Sequence, residues 1–558
     1  MRRHLPDRRT TYLTFLGIVV LLMGLLLIFG QAAVPVLAQE SSDRPAPNYI
    51  GTDECESCHD GDLWDAHEIS AHALTLQQGN DESAIVADFT GEDVPLVQFP
   101  GETEARKLTP DDIAYTIGVG RNLQKYLYDL GDNQYAVLPV AWDVQAQAWK
   151  PYLADQPWPG PAFDWKTNCA GCHTTDLDIE TGEWEEDGVQ CEACHGPGGD
   201  HYDAADEAGR RASEEEILEI RAAIYNTPDS QMCGQCHSMG TATTGDLPYP
   251  ADHISVTPLT DSFTLSLPDD EAHWWATGHA SHINMQYNEW SASAHATALS
   301  TLKAGEYPAE DGCLSCHSAD YAFRQRQIAI YEEGDRKDPA PEPASVDNAG
   351  FGVTCISCHA PHTLNADNER VAFQTGSDDI YGLCASCHSD ANNAVAHHPA
   401  LEMFEGREIV PNVEAIASSH FTEENGPRCT TCHMPQVPTT DGLERASHTL
   451  QPVLPGAAIS IEGLQDSCLS CHEEQVNAAQ MQQLIDDVQA STRARLDTAA
   501  AALKDDTPDW VRTTLNFVEG DGSLGIHNYA YTDALLDAAE AALGLDQPDS
   551  GTQGDAGS

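Results

Sequence analysis

A chain of 558 residues with 89 acidic and 27 basic side chains carries a formal charge of −62, and only 41% of it is hydrophobic and 7% aromatic. Such a field repels nucleic acid and anionic membrane surfaces and favours basic partners, although an acid-rich surface also simply keeps a protein soluble or suits life in high salt. So few apolar side chains leave a thin core for the three or four domains this length suggests, and a second source of buried apolar surface is needed.

At the N-terminus Arg2, Arg3, Arg8 and Arg9 precede an apolar run from Tyr12 to Gly30, followed by the small-residue cleavage pattern Val36, Leu37, Ala38. Residues 1–38 read as a signal peptide. The run of about 19 residues also approaches the ~20 that span a bilayer, so retention as an N-terminal membrane anchor is the alternative. Either way the remainder is exported, to the periplasm or the cell surface. Residues 39–47 form a polar linker, and no second hydrophobic span follows.

All 18 cysteines then fall in nine C-x-x-C-H strings, which leaves none for a disulfide, a zinc site or a lipid anchor. In chain order, strings one to nine are Cys55, Cys58 and His59; Cys169, Cys172 and His173; Cys191, Cys194 and His195; Cys233, Cys236 and His237; Cys313, Cys316 and His317; Cys355, Cys358 and His359; Cys384, Cys387 and His388; Cys429, Cys432 and His433; and Cys468, Cys471 and His472. Two thiols three residues apart reach the two vinyl groups of one porphyrin, and the next imidazole lies under its iron. Each string therefore specifies one covalently attached heme c, nine in all, with the string's histidine as proximal ligand. Nine apolar macrocycles supply the missing core, which predicts a mainly α fold with extensive loops around a heme-packed interior.

Strings one to four lie in a tetraheme domain at 48–245. Within it, residues 86–165 carry no string and hold short alternating runs such as Gln134 to Leu138 after the turn Gly131, Asp132, Asn133, which predicts a small β-insert. Residues 246–273, rich in Pro, Thr and Asp, read as a linker. A pentaheme domain follows at 274–475, interrupted by a charged, Pro-containing loop at 334–350. From 476 to 545, periodic Ala-, Gln- and Leu-rich stretches predict two long helices folded as a hairpin. They cover the last hemes with an apolar stripe or, alternatively, pair two copies in a homo-oligomer. Residues 546–558 read as a disordered tail.

The chain also repeats itself. Ser70, Ala71, His72 and Ala73 match Ser293, Ala294, His295 and Ala296; Gly188 and Val189 before string three match Gly352 and Val353 before string six. Strings two, three and four thereby align with five, six and seven, and His201 aligns with His362. A duplicated unit predicts two superposable heme triads, with His72 and His295 on corresponding irons and His201 and His362 on another corresponding pair.

The run from Tyr49 to His59, Trp64 with Ser70, His72 and Ala73, the string at Cys169, and Gly188 through Gly198 with His201 resemble the cytochrome c-552/c-554 family of tetraheme electron carriers. Trp290 through Ala296, Cys432 through Pro435, Ser447 with His448, and Gly525 through Asn528 resemble, more loosely, the pentaheme nitrite reductases and their octaheme relatives. The resemblance implies bis-histidine irons whose second ligand comes from elsewhere in the chain. By resemblance or placement the distal candidates are His72, His201, His279, His295, His362, His398, His420, His448 and His527; His67, His253, His273, His282 and His397 are runners-up. Nitrite reductases of that class carry a C-x-x-C-K string at the catalytic heme. None of the nine strings here ends in lysine, so that activity does not carry over. What remains is an electron relay between redox partner proteins, basic or membrane-bound; an oxidoreductase of a small nitrogen or sulfur compound, which requires one open iron; or a subunit of an extracellular electron conduit.

Overall fold

The computed structural model describes residues 48–545 apart from positions 82, 306–307, 334–338, 366, 368, 376–378, 391–396, 411–412, 423–425, 441, 460 and 462. The expected leader and linker at 1–47, the tail at 546–558 and the charged part of the 334–350 loop lie outside the described residues. Among the described residues, no helix is long and apolar enough to cross a membrane.

Short helical turns joined by loops make up most of the fold, because each heme string needs only one turn. A helical turn gathers positions i, i+3 and i+4 on one side, so both thiols and the imidazole of a string converge. The His59 N–H donates to the Cys55 carbonyl at 2.9 Å, and the same bond recurs in strings four, six, seven and nine at 2.9 to 3.1 Å. String two departs from this: Lys166–Ala170 is wound as a wider π-helical turn that runs into Gly171–His173.

The β-insert predicted at 86–165 is a six-stranded antiparallel sheet that begins earlier, at Leu76. Its central strand, Leu123–Gly131, pairs on one edge with Tyr115–Ile117 and on the other with Gln134–Val137 and then Val140–Asp143. The hairpin turns where Asp132 and Asn133 take left-handed φ of 54° and 57°, a conformation short polar side chains accept more readily than others. Side chains alternate across the strand. Tyr126 enters a cluster with Phe99, Leu108 and Trp142. Leu127 faces the opposite way, against Phe163, Trp165 and Ala170 beside string two. Lys125 shares that second direction.

The stretch expected as a linker at 246–273 carries the helix Leu259–Ser262 and the strand Phe263–Leu265, which pairs antiparallel with Gly240–Ala242. Three helices, not two, close the chain: Ala478–Ala502, Asp509–Gly520 and Tyr529–Leu543. Phe517 and Val518 lie near the end of the middle helix, where both pack with Val511 and Leu515 in one buried cluster. Arg495 clamps the first helix to the third, reaching Asp533 and Asp537 at 2.6 Å and Glu540 at 2.9 Å.

Candidate heme sites

One continuous cavity of ≈ 2690 Å³ is lined by residues from all nine strings, from Cys55 and His59 of the first to Ser470 of the last. Protein interiors are packed as densely as organic crystals, so an internal space of this size, walled by thiols and imidazoles of strings one to seven, is shaped for prosthetic groups. The donor set fits heme c: two sulfurs for covalent attachment and one imidazole per string.

Imidazole nitrogens sit about 2 Å from a first-row metal, so two rings sharing one iron stand with centroids about 6 Å apart. The rings fall into such pairs. His201 stands 6.2 Å from His59, His72 6.1 Å from His237, His362 6.1 Å from His195, and His448 6.3 Å from His359. His295 stands 6.0 Å from His388, His420 6.1 Å from His472, and His527 6.0 Å from His433. String five has two candidates, since His397 lies 6.3 Å and His398 5.9 Å from His317; His398 is also 6.0 Å from His388.

Hydrogen bonds at the far nitrogen orient several of these rings. Nδ1 of His195, His201, His433 and His448 lies 2.7, 2.7, 3.1 and 3.1 Å from the carbonyls of Tyr225, Ile220, Leu450 and Ala446, which leaves Nε2 for a metal. Burial pushes His72, His173, His362, His388, His398 and His448 down to about 4, so they are neutral near pH 7, the form that ligates. His527 is the exception. Burial would lower it, but the Asp521 carboxylate 2.6 Å from its Nδ1 holds it above the usual range.

Not every histidine singled out in the sequence meets a string. His279 is buried with Nδ1 3.1 Å from Thr277 Oγ1 and Nε2 3.2 Å from the Gln451 carbonyl, and among the described residues no string's imidazole stands opposite it. His67 likewise has Nε2 2.9 Å from the Gln190 side-chain oxygen. His273 packs on His282 at 4.9 Å, and His253 has Nδ1 3.3 Å from Ser262 Oγ. Conversely, His173 of string two has no histidine opposite it among the described residues; its Nδ1 is 2.8 Å from Thr75 Oγ1 and the ring beside it is Trp165.

The string sulfurs reveal an order. Cys55 contacts Cys191, Cys233 contacts Cys355, and Cys384 contacts Cys429. Cys194 is within electrostatic reach of Cys233 and Cys236, Cys358 of Cys384 and Cys387, and Cys432 of Cys471. Strings one, three, four, six, seven, eight and nine therefore form an unbranched line in which first-cysteine and second-cysteine contacts alternate. Strings two and five hang off it through Cys172 to Cys236 and Cys316 to Cys387.

These contacts match the duplication: two-three-four and five-six-seven are joined the same way. The Val189 N–H donates to the His72 carbonyl at 2.9 Å, and Val353 donates to His295 at 3.0 Å. A side chain at Gly188 would meet the Ala73 carbonyl at 2.1 Å, and one at Gly352 the Ala296 carbonyl at 2.6 Å, which explains the repeated Gly-Val. His72 and His295 thus occupy equivalent places. His201 and His362 do not, contrary to the alignment. His201 sits on the helix Gly199–Ala208 and faces back to string one, whereas His362 follows string six by only three residues and faces string three.

A family model described as cytochrome c554 and c-prime matches residues 153–196, and one described as a doubled CXXCH motif matches residues 348–393. No curated protein sequence matches the chain. The crystal structure of the outer cell wall cytochrome OcwA is similar at 27% identity and a TM-score of 0.70, covering 89% of this chain and 99% of that one. The undecaheme cytochrome from the S-layer of Carboxydothermus ferrireducens is similar in fold at 19% identity and a TM-score of 0.54, covering 90% of this chain and 70% of that one.

Proposed function

The chain is a multiheme c-type cytochrome, and we propose that it works as an exported relay in which nine hemes c, most of them bis-histidine, carry electrons between redox partners at the cell surface. The observation that carries this reading is the line of seven strings with a solvent-facing end at each extremity. Cys58 of string one and Cys471 of string nine are the exposed cysteines; the other sixteen are partly covered. Both ends are acidic. No lysine or arginine occurs from 48 to 105 or from 446 to 492, and exposed Asp53, Glu54, Glu56, Asp60, Glu473 and Glu474 flank the two terminal strings. Charge of one sign around a port steers an oppositely charged partner to it, which favours basic carriers at both ends.

Similarity to an outer cell wall cytochrome supports placing this chain outside the cytoplasmic membrane, with residues 1–38 as leader or anchor. Strings one to four belong to a unit at 48–245, strings five to nine to 274–475, and the C-terminal helices at 476–545 cover the last hemes or join two copies. The alkaline pyridine spectrum with protein mass tests the foundation. Nine hemes per chain, with low-spin signals from most irons, are expected, and a ratio well under nine sinks the reading.

A further inference from the structure

String two differs from its duplicate in three ways that converge on one place. Its counterpart in the second copy is string five, where both His397 and His398 stand about 6 Å from His317. His173 has no such partner, although every histidine except His4 is among the described residues. String two is wound on a π-helical turn, a feature that recurs at functional sites. And the β-insert, inserted between strings one and two, delivers Lys125 to the cavity wall beside Cys169 and His173, close enough to act on both electrostatically.

Among the described lysines, Lys125 is the one that lines the cavity. In a chain with 89 acidic residues, its ammonium has no carboxylate partner among the described residues. Its nitrogen lies 4.2 Å from the centre of the Tyr152 ring, on the cavity wall. An ammonium resting on an aromatic face at a cavity wall still has donors to give, and the group best able to take them is an anion.

We propose that string two forms a binding site for a small inorganic anion, in which the Lys125 ammonium holds the anion at the iron carried by His173. Thr75 fixes the His173 ring, and the sheet fixes Lys125 through the central strand, so both sides of the site are rigid. The site hangs off the electron line at string four through Cys172 and Cys236, so occupancy does not interrupt the line. The inference rests on the relay reading for the presence of the heme.

The test is ligand binding to the holoprotein, with azide and nitrite as anionic probes of the oxidised form and carbon monoxide as a neutral probe of the reduced form. Wild-type protein is expected to show one high-spin iron and to bind one azide and one carbon monoxide per chain. Lys125→Met should weaken azide about tenfold or more and leave carbon monoxide unchanged, while Lys125→Arg keeps azide binding. The heme count and remaining low-spin signals report whether each variant is intact. Wild type with no high-spin iron and no azide uptake overturns the proposal without any variant. Unchanged azide affinity in Lys125→Met overturns it as well. A heme ratio below nine, or several carbon monoxides per chain, would instead count against the relay reading.

Discussion

At the scale of single residues, string positions were legible because covalent attachment fixes their spacing, and distal partners were only partly so. Eight of the nine distal candidates stand opposite a string's histidine, while His279 spends both nitrogens on hydrogen bonds. Which string each histidine faces depends on the loop that carries it: His201, six residues past string three, faces string one, and His362, three residues past string six, faces string three. Acid crowding is equally local. Asp176, in the strand Thr174–Leu177, is pushed up to about 6, first by burial and then by Glu185, Glu192, Asp178 and Glu186. Its folded value lies above the ordinary 3.8, so the folded protein holds this proton more tightly than the unfolded one. Its stability is fully present below about pH 3.8 and falls as pH rises towards 6. Asp176 also has a left-handed φ of 55°, which asparagine accepts. Asp176→Asn is therefore expected to raise the thermal midpoint at pH 7, by under about 2 °C given solvent screening, and to leave it unchanged at pH 3.5. A rise of equal size at both pH values would refute the electrostatic cause.

At the scale of elements, the β-insert was legible from one turn, because Gly131, Asp132 and Asn133 leave the chain few other conformations. The middle C-terminal helix was missed, although Val511, Leu515 and Val518 show helical spacing in the sequence. A long-range ion pair left no sequence signal at all. Glu289, on the helix Gln286–Ser291, is buried and takes a two-pronged contact from Arg445 on the strand Glu444–Ala446 at 2.7 and 2.8 Å. It also accepts from the backbone N–H of Ala280 at 2.8 Å and of His448 at 2.5 Å, so the pair holds the ring that faces string six. Removing one partner strands a buried charge. Glu289→Ala should cost about 3–5 kcal/mol, whereas replacing both residues with apolar ones of similar volume should be close to neutral. Denaturant titration of the two variants checks this, and equal losses in both would show that the ion pair is not the source of the stability.

At the scale of the whole molecule, sixteen partly covered thiols and the imidazoles beside them would be an unstable interior for a chain this acidic; sequestering them around hemes turns the same residues into a core. Duplication then sets the layout, since repeating a unit in which second cysteines join strings two to four and three to four produces the same joints at five, six and seven. The units meet through Cys233 and Cys355, which makes string six a series position and string five a side position. That difference is measurable. A ruthenium photodonor attached through Leu63→Cys beside string one and a viologen attached through Glu474→Cys beside string nine would report transit along the line. Deleting string six with Cys355→Ala and Cys358→Ala, or string five with Cys313→Ala and Cys316→Ala, removes one heme in each case. Electron tunnelling weakens steeply with distance, so a gap in series breaks the path while a missing side heme does not. Loss of string six is expected to slow viologen reduction by more than about tenfold, equivalent to over ~1.4 kcal/mol of barrier, and loss of string five to leave it within about a factor of two by the same scale. Both variants should retain eight hemes by pyridine spectrum. Equal slowing in the two would mean that electrons do not follow the line of sulfur contacts, and the terminal strings would lose their standing as ports.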